Sequence, residues 1–271
     1  MNKTVFITGA SSGIGLTTVN YFLEMNWNVA CTIRDMSKTE LLPVSQNLKI
    51  YKLDITDFVS AKKIANDAWN DFDGIDVVVN NAGYGAIGPF EGATKEQILK
   101  QIETNFIGLC NVTQAFIPLF ASVNKGMFIN LSSIAGRIGL PLYSIYNASK
   151  FAVEGLSESL YYELRTKGIK IKLIEPGPIK TEFNGRSRVD ITTSSEQGYD
   201  EFVKKTDSFY CSLFENAPEP ITVAKTIYKA AVNKGNKFRY QAGIQAKMFI
   251  FLKKIIPASW FRVAVKIVLG I

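Results

Sequence analysis

The sequence predicts an α/β protein built on one open, doubly wound parallel sheet of about seven strands. Three observations lead there. Short β-branched runs alternate with longer helical patterns through the first two thirds of the chain. Glycine-rich turns follow several of those runs, and no linker, internal repeat or low-complexity tract divides the 271 residues. Strands separated by helices of this length form βαβ units, and hence a parallel sheet covered on both faces. Ligands of such a sheet sit outside the carboxyl ends of its strands, so the residues just after each strand carry most of the information. The chain from 1 to 271 is accordingly read as a single domain.

Taken in order, "TVFI" (4–7) is the first strand, and "TGASSGIG" (Thr8 to Gly15) carries it into a helix over Gly13 to Asn26. The spacing is G-x-x-x-G-x-G. Gly9, Gly13 and Gly15 leave the backbone bare where the chain turns and where a pyrophosphate could approach amides at a helix N-terminus; the same glycines would also suit tight strand-to-helix packing. "NVACTI" (28–33) and "LKIYKL" (48–53) are the second and third strands, with a helix over Ser60 to Asp71. The fourth strand, "DVVVN" (76–80), runs into the glycine turn "NNAG", whose asparagines could fasten it to a neighbouring loop. A long helix is expected over Lys95 to Ala121. "GMFINL" (126–131) then leads into Ser132 and Ser133, and a helix over Ile145 to Lys167 carries "YNASK". "IKIKLIE" (169–175) is the sixth strand and "FRYQAG" (238–243) a seventh.

Composition narrows the function. With 47% hydrophobic and 20% charged residues the chain can bury a sizeable core. The formal charge of +7 favours anionic ligands such as phosphates or acidic lipid headgroups. The basic residues are scattered apart from a C-terminal cluster, and there is no zinc-finger spacing or basic helix followed by heptads, so nucleic acid is not an expected partner. Three widely separated cysteines (31, 110 and 211) argue for a reducing compartment rather than a disulfide framework. The N-terminus lacks the apolar stretch of a signal peptide, and no run reaches the length of a membrane span. A cytoplasmic protein is expected.

Tyr146 and Lys150 stand one helical turn apart and so share a face. Together with T-G-x-x-x-G-I-G, N-N-A-G, the preceding serine and "PGPIKT" after the sixth strand, this order of motifs resembles the short-chain dehydrogenase/reductase family over about residues 3 to 181. The resemblance implies a Rossmann-like fold that binds a nicotinamide dinucleotide. It implies Tyr146 as proton donor to a carbonyl or acceptor from an alcohol, Lys150 as the group that holds the nicotinamide ribose and lowers the tyrosine pKa, and Ser133 as the group that orients the substrate oxygen. Ser132 is the adjacent alternative. Asn105, in "TNFIG", matches the family asparagine that supports a water-mediated proton relay; read without the family it is a helix-surface amide. A free tyrosine titrates near 10, and a cation about 4 to 6 Å away can lower an acidic pKa by roughly 1 to 3 units. Tyrosine can thus act as general acid and base in a chain that contains no histidine.

The same resemblance places Gly9, Ser11, Ser12, Gly13, Ile14, Gly15, Arg34, Asp54, Asn81, Ala82, Gly83, Tyr146, Lys150, Pro176, Gly177, Ile179 and Thr181 around the dinucleotide. Arg34, directly after the second strand, would take the 2′-phosphate of NADP, and Asp35 beside it keeps NAD as the alternative. Asp54 matches a contact to the adenine and could equally cap the next helix. The expected reaction is hydride transfer between NADP(H) and the carbonyl or secondary alcohol of a hydrophobic substrate. A non-catalytic NADP(H)-binding regulator on the same fold is the alternative.

Residues 182–220 are read as a lid over the substrate, because connections this long are usually functional when they carry aromatics such as Phe183, Tyr199, Phe202, Phe209, Tyr210 and Phe214. The apolar and basic C-terminal extension (244–271) is expected either to make peripheral membrane contact or to pack as a helix pair against the lid or a second subunit. In the membrane reading, Lys247, Lys253, Lys254, Arg262 and Lys266 face anionic lipid while Phe249, Phe251, Ile256, Trp260 and Phe261 enter the interface. A homodimer or homotetramer is expected by resemblance to the family.

Overall fold

The computed structural model describes residues 2–181, 188–192 and 200–269. In chain order the elements are β1 (Thr4–Thr8), α1 (Gly13–Glu24), β2 (Asn28–Ile33), β3 (Leu48–Lys52), α2 (Phe58–Asp71), β4 (Val77–Asn80) and β5 (Gly85–Ile87). They continue with α3 (Lys95–Ile102), α4 (Gly108–Ser122), β6 (Gly126–Leu131), α5 (Ser144–Glu163) and β7 (Ile169–Pro176). The last third holds β8 (Arg188–Asp190), α6 (Asp200–Glu215), α7 (Ile221–Val232), β9 (Arg239–Ala242), α8 (Ile244–Ile255) and α9 (Ala258–Leu269). Seven of the strands form one parallel sheet in the order β3-β2-β1-β4-β6-β7-β9. The order reverses between β1 and β4, which is the switch point at which a doubly wound sheet opens a crevice. The fold is a single-domain Rossmann-like α/β sheet.

Side chains alternate across the sheet because the strand period is two. Val5, Ile7, Val77, Val79, Met127 and Ile129 point to one face, where they pack with Val19 and Phe22 of α1 and Val223 and Ile227 of α7. Phe6, Val78 and Phe128 point to the other, against Ala61 and Ala65 of α2 and Phe116 and Phe120 of α4. Burial on both faces explains why these strands read as near-continuous apolar runs rather than alternating ones. Phe120 lies 5.1 Å from the Phe128 ring and 5.9 Å from the Phe116 ring.

Two features differ from the sequence reading. The helix expected over 95–121 is interrupted: α3 ends at Ile102, a π-helical turn spans Glu103–Ile107, and α4 starts at Gly108. The extra residue in that turn carries Asn105 inward, and such insertions recur at functional sites. In the long connection after β7, β8 pairs with β5 in a separate two-stranded sheet and α6 follows. Of the aromatics assigned to the lid, Phe183 and Tyr199 lie outside the described residues.

Replacing Phe120 with Ala should lower the unfolding free energy by about 3–5 kcal/mol, since it leaves a cavity among fixed rings. Urea unfolding of the two proteins measures the difference.

Candidate active site

One cavity of about 660 Å³ opens along the carboxyl ends of β1, β2, β3, β4, β6 and β7. Its walls include Gly9, Ser11, Ser12, Gly13, Ile14 and Gly15 after β1, Arg34 after β2, and Asp54 after β3. Asn81, Ala82 and Gly83 follow β4, Ser132 and Ser133 follow β6, and Pro176, Gly177, Ile179 and Thr181 come from the end of β7. Tyr146 and Lys150 project into it from α5.

At Gly9 and Gly15 the turn after β1 has no room for a side chain. Gly9 has φ +70° and a Cβ there would lie 2.8 Å from Ala82 Cα; a Cβ on Gly15 would lie 2.2 Å from the Gly9 carbonyl oxygen. Asn81 holds the crevice together by donating from its side-chain amide to the carbonyls of Thr8 (2.8 Å) and Gly9 (3.1 Å). The fastening role read for this turn is therefore met by Asn81. At the head of α1, the Ser12 side chain makes no capping bond, so the first amides of the helix are not satisfied by their own cap. Bare backbone beside an uncapped helix N-terminus fits a pyrophosphate, for which these amides would be the donors.

Arg34 and Asp35, adjacent in the sequence, are turned to different partners by the structure. Arg34 is exposed and lines the cavity. The Asp35 carboxylate instead accepts from the backbone amide (3.1 Å) and hydroxyl (2.8 Å) of Ser37, capping a 3-10 turn over Met36–Leu41, and those two bonds hold it below the usual carboxylate range. Asp54 also lines the cavity and does not cap the next helix. It accepts from Thr56, whereas Asp57 caps α2 through the Ser60 amide.

Of the adjacent serines, Ser133 makes the hydrogen bond to the Tyr146 phenol. Ser132 is buried and its hydroxyl donates weakly to the Ser133 carbonyl at 3.4 Å. Asn105 is buried rather than on a helix surface: its carbonyl oxygen accepts from the Tyr84 amide (3.0 Å) and its amide donates to the Tyr84 carbonyl (2.8 Å) and the Ser149 hydroxyl (3.2 Å). Asn105 and Lys150 meet at Gly83, where a Cβ would stand 3.0 Å from Asn105 Oδ1 and 3.8 Å from Lys150 Nζ.

Lys150 Nζ lies 5.8 Å from the centre of the Tyr146 ring and donates to the Leu131 carbonyl at 2.8 Å. The expected depression of the tyrosine pKa is not what this arrangement gives. Burial pushes Tyr146 up to about 12, and the Ser133 hydrogen bond only partly offsets it. Burial likewise lowers Lys150 to about 8, against the partial restoring effect of Glu154. The ammonium is turned to a backbone carbonyl at ring distance, so desolvation outweighs its pull on the phenol.

Beneath Lys150 lies an ion network that the motifs did not reveal. Arg239 of β9 pairs with Glu154 of α5 and with Glu175 of β7 (2.9 Å), while Arg137 also reaches Glu175 at 3.0 Å. Burial, together with the neighbouring Glu175 charge, raises Glu154.

The apolar end of the cavity combines three aromatics of the expected lid, Phe209, Tyr210 and Phe214, with residues the sequence did not single out. Leu140, Tyr143, Phe209, Tyr210, Leu213 and Phe214 line it, joined by Phe249, Leu252, Ile256 and Phe261 from α8 and α9 and the segment between them. Phe249, Ile256 and Phe261, expected at a membrane interface, thus face the cavity. Helical spacing alone could not choose between the two faces.

The comparisons with known proteins agree with this geometry. The model of the family described as short chain dehydrogenase matches residues 3–192. A 3-ketodihydrosphingosine reductase of Bacteroides thetaiotaomicron is 32% identical, covering 98% of this chain and 97% of its own. Human retinol dehydrogenase 8 is 30% identical over 93% of this chain and 85% of its own. Among solved structures, ElxO with NADP bound superposes with a TM-score of 0.75 at 29% identity, over 91% of this chain and all of its own. A Burkholderia phymatum short chain dehydrogenase/reductase in complex with NAD shares the fold with a TM-score of 0.80 at 21% identity, over 93% of each chain. The chain belongs to the short-chain dehydrogenase/reductase family of oxidoreductases.

Arg239→Met should cost about 3–5 kcal/mol at neutral pH, because Glu154 is left buried without its cation. Glu154 has a raised folded pKa, so its protonation favours the fold at low pH and the deficit should shrink as the pH falls through that value. Unfolding curves of both proteins from pH 8 to 5 test the sign.

Proposed function

We propose that this protein is an NADP(H)-dependent oxidoreductase that interconverts a carbonyl and a secondary alcohol on a hydrophobic substrate, with Tyr146 as general acid and base. The observation that carries the proposal is the Tyr146 phenol, hydrogen-bonded to Ser133 and buried beside Lys150, where a glycine-walled crevice meets an apolar cavity. The bound nicotinamide would supply or accept the hydride. The protein's own groups manage the proton. Ser133 and Tyr146 together can hold the substrate oxygen between two hydroxyls, which fixes its distance and angle for transfer.

These protonation states suit the step in which the phenol donates its proton. At neutral pH a phenol held up to about 12 keeps its proton and can donate it to an oxygen that is gaining negative charge. Lys150, lowered only to about 8, stays charged and stabilises the tyrosinate that remains. Asn105, fixed by three hydrogen bonds at the back of Gly83, would order water behind Lys150 for reprotonation.

Arg34 is proposed as the selector for NADP. It lines the cavity and makes no ion pair or side-chain hydrogen bond among the described residues, whereas Asp35, the residue that would favour NAD, is committed to Ser37. A charge-assisted contact to the 2′-phosphate, about 1.5–3 kcal/mol, gives NADP roughly a 10- to 150-fold preference. The substrate class follows from the aromatic and aliphatic end of the cavity. Tyr143 adds a polar point there: its hydroxyl is buried and has no hydrogen-bond partner among the described residues, so it could receive a second polar group of the substrate.

Tyr146→Phe should retain NADPH binding, followed by energy transfer from tryptophan, and lose about 10²–10⁴-fold in kcat. Unchanged turnover would sink the mechanism. Nucleotide binding by a protein that turns over no ketone, aldehyde or retinoid would favour the regulatory reading. Arg34→Ala should weaken NADPH roughly 10- to 150-fold and leave NADH unaffected, measured by the same titration. The rate of carbonyl reduction should fall as the pH rises through about 8, where Lys150 loses its charge, and a stopped-flow pH series checks it.

A further inference from the structure

We propose that the helix pair α8 and α9 docks this protein on the surface of a bilayer carrying anionic lipid. On α8, Ile244, Met248, Phe251 and Ile255 recur at intervals of four, three and four residues and are all exposed, Ile244 by 83%. At 3.6 residues per turn these positions fall on one stripe. On α9, Trp260, Val263 and Ile267 repeat the pattern, with Trp260 and Ile267 each 73% exposed. Two consecutive helices therefore present apolar stripes to solvent, although other faces of the same segment, at Phe249, Leu252 and Phe261, are used to wall the cavity. Packing of the fold does not account for the outward stripes.

Charge selects the occupant. Lys247 and Lys254 flank the stripe on α8, Arg262 and Lys266 lie off the stripe on α9, and no acidic residue occurs from Ile244 to Ile271. A second copy of the chain placed on this face would bring like charges together, whereas an anionic headgroup layer meets both the cations and the aliphatic and indole side chains. Among the described residues no helix is long and apolar enough to cross a membrane, so the contact is an interfacial one. The docked face is also the outer side of a cavity wall. This proposal does not depend on the identity of the cofactor or on Tyr146.

The test uses the full chain with sedimenting vesicles at low salt. Vesicles of equal parts phosphatidylglycerol and phosphatidylcholine should carry the protein down, and phosphatidylcholine alone should bind about tenfold more weakly or worse. The variant Ile244→Glu/Trp260→Glu/Ile267→Glu changes only exposed side chains and should lose about tenfold or more in vesicle affinity while keeping its melting temperature. Val44→Glu, at a fully exposed position in the loop before β3, should bind as the wild type. Tyr146→Phe should also bind normally, which separates docking from catalysis. The proposal is overturned if the folded protein stays in solution with the anionic vesicles, or if the triple variant sediments like the wild type. It is likewise overturned if the triple substitution converts a dimer to a monomer in a protein that binds no vesicles.

Discussion

The charge on Lys150 is the constraint around which this molecule is arranged. An ammonium group buried at the floor of a cavity is costly, and burial lowers its pKa to about 8 even with Glu154 nearby. What keeps it charged comes from four separate elements. The Leu131 carbonyl at the end of β6 accepts a hydrogen bond from it, and Glu154, one turn further along α5, supplies a compensating negative charge. Glu154 is tolerated only because Arg239 of β9 reaches it, and Arg239 is itself shared with Glu175 on β7. Parallel strands distant in sequence are thus tied to one helix by a polar network, in which removing any member leaves another uncompensated.

The same edge of the sheet joins a glycine-walled crevice to an apolar chamber. At the switch between β1 and β4 the backbone is bare at Gly9 and Gly15, and Asn81 spans the gap by bonding both Thr8 and Gly9. Further along, β5 and β8 form a small sheet, and α6 packs Phe209, Tyr210 and Phe214 over Tyr143 and Tyr146. The polar crevice and the apolar chamber meet at the Tyr146 hydroxyl. The proposed substrate, a carbonyl carried by a hydrophobic body, would fit both ends.

The last two helices give this chamber a wall with two kinds of face. Inward residues such as Phe249 and Phe261 complete the cavity, while outward ones such as Ile244 and Trp260 remain in solvent. A wall apolar on more than one side is what an interfacial helix requires if it also belongs to the protein core.

The sequence by itself determined the βαβ order, the seven-stranded parallel sheet and the residues that follow each strand, because glycine turns and β-branched runs are local signals. It also determined the pairing of Tyr146 with Lys150, since one helical turn fixes their shared face. Only the tertiary structure decided the rest. It placed the Ser133 hydroxyl, rather than that of Ser132, on the phenol, and set Arg34 on the cavity while Asp35 turned to Ser37. It drew Asn105 inward through a π-helical turn, where a continuous helix had been expected over 95–121. The Arg239 network and the inward faces of α8 and α9 had no local signature. They arise from contacts between segments far apart in the chain, where burial, not spacing, sets both the charge states and the direction each side chain faces.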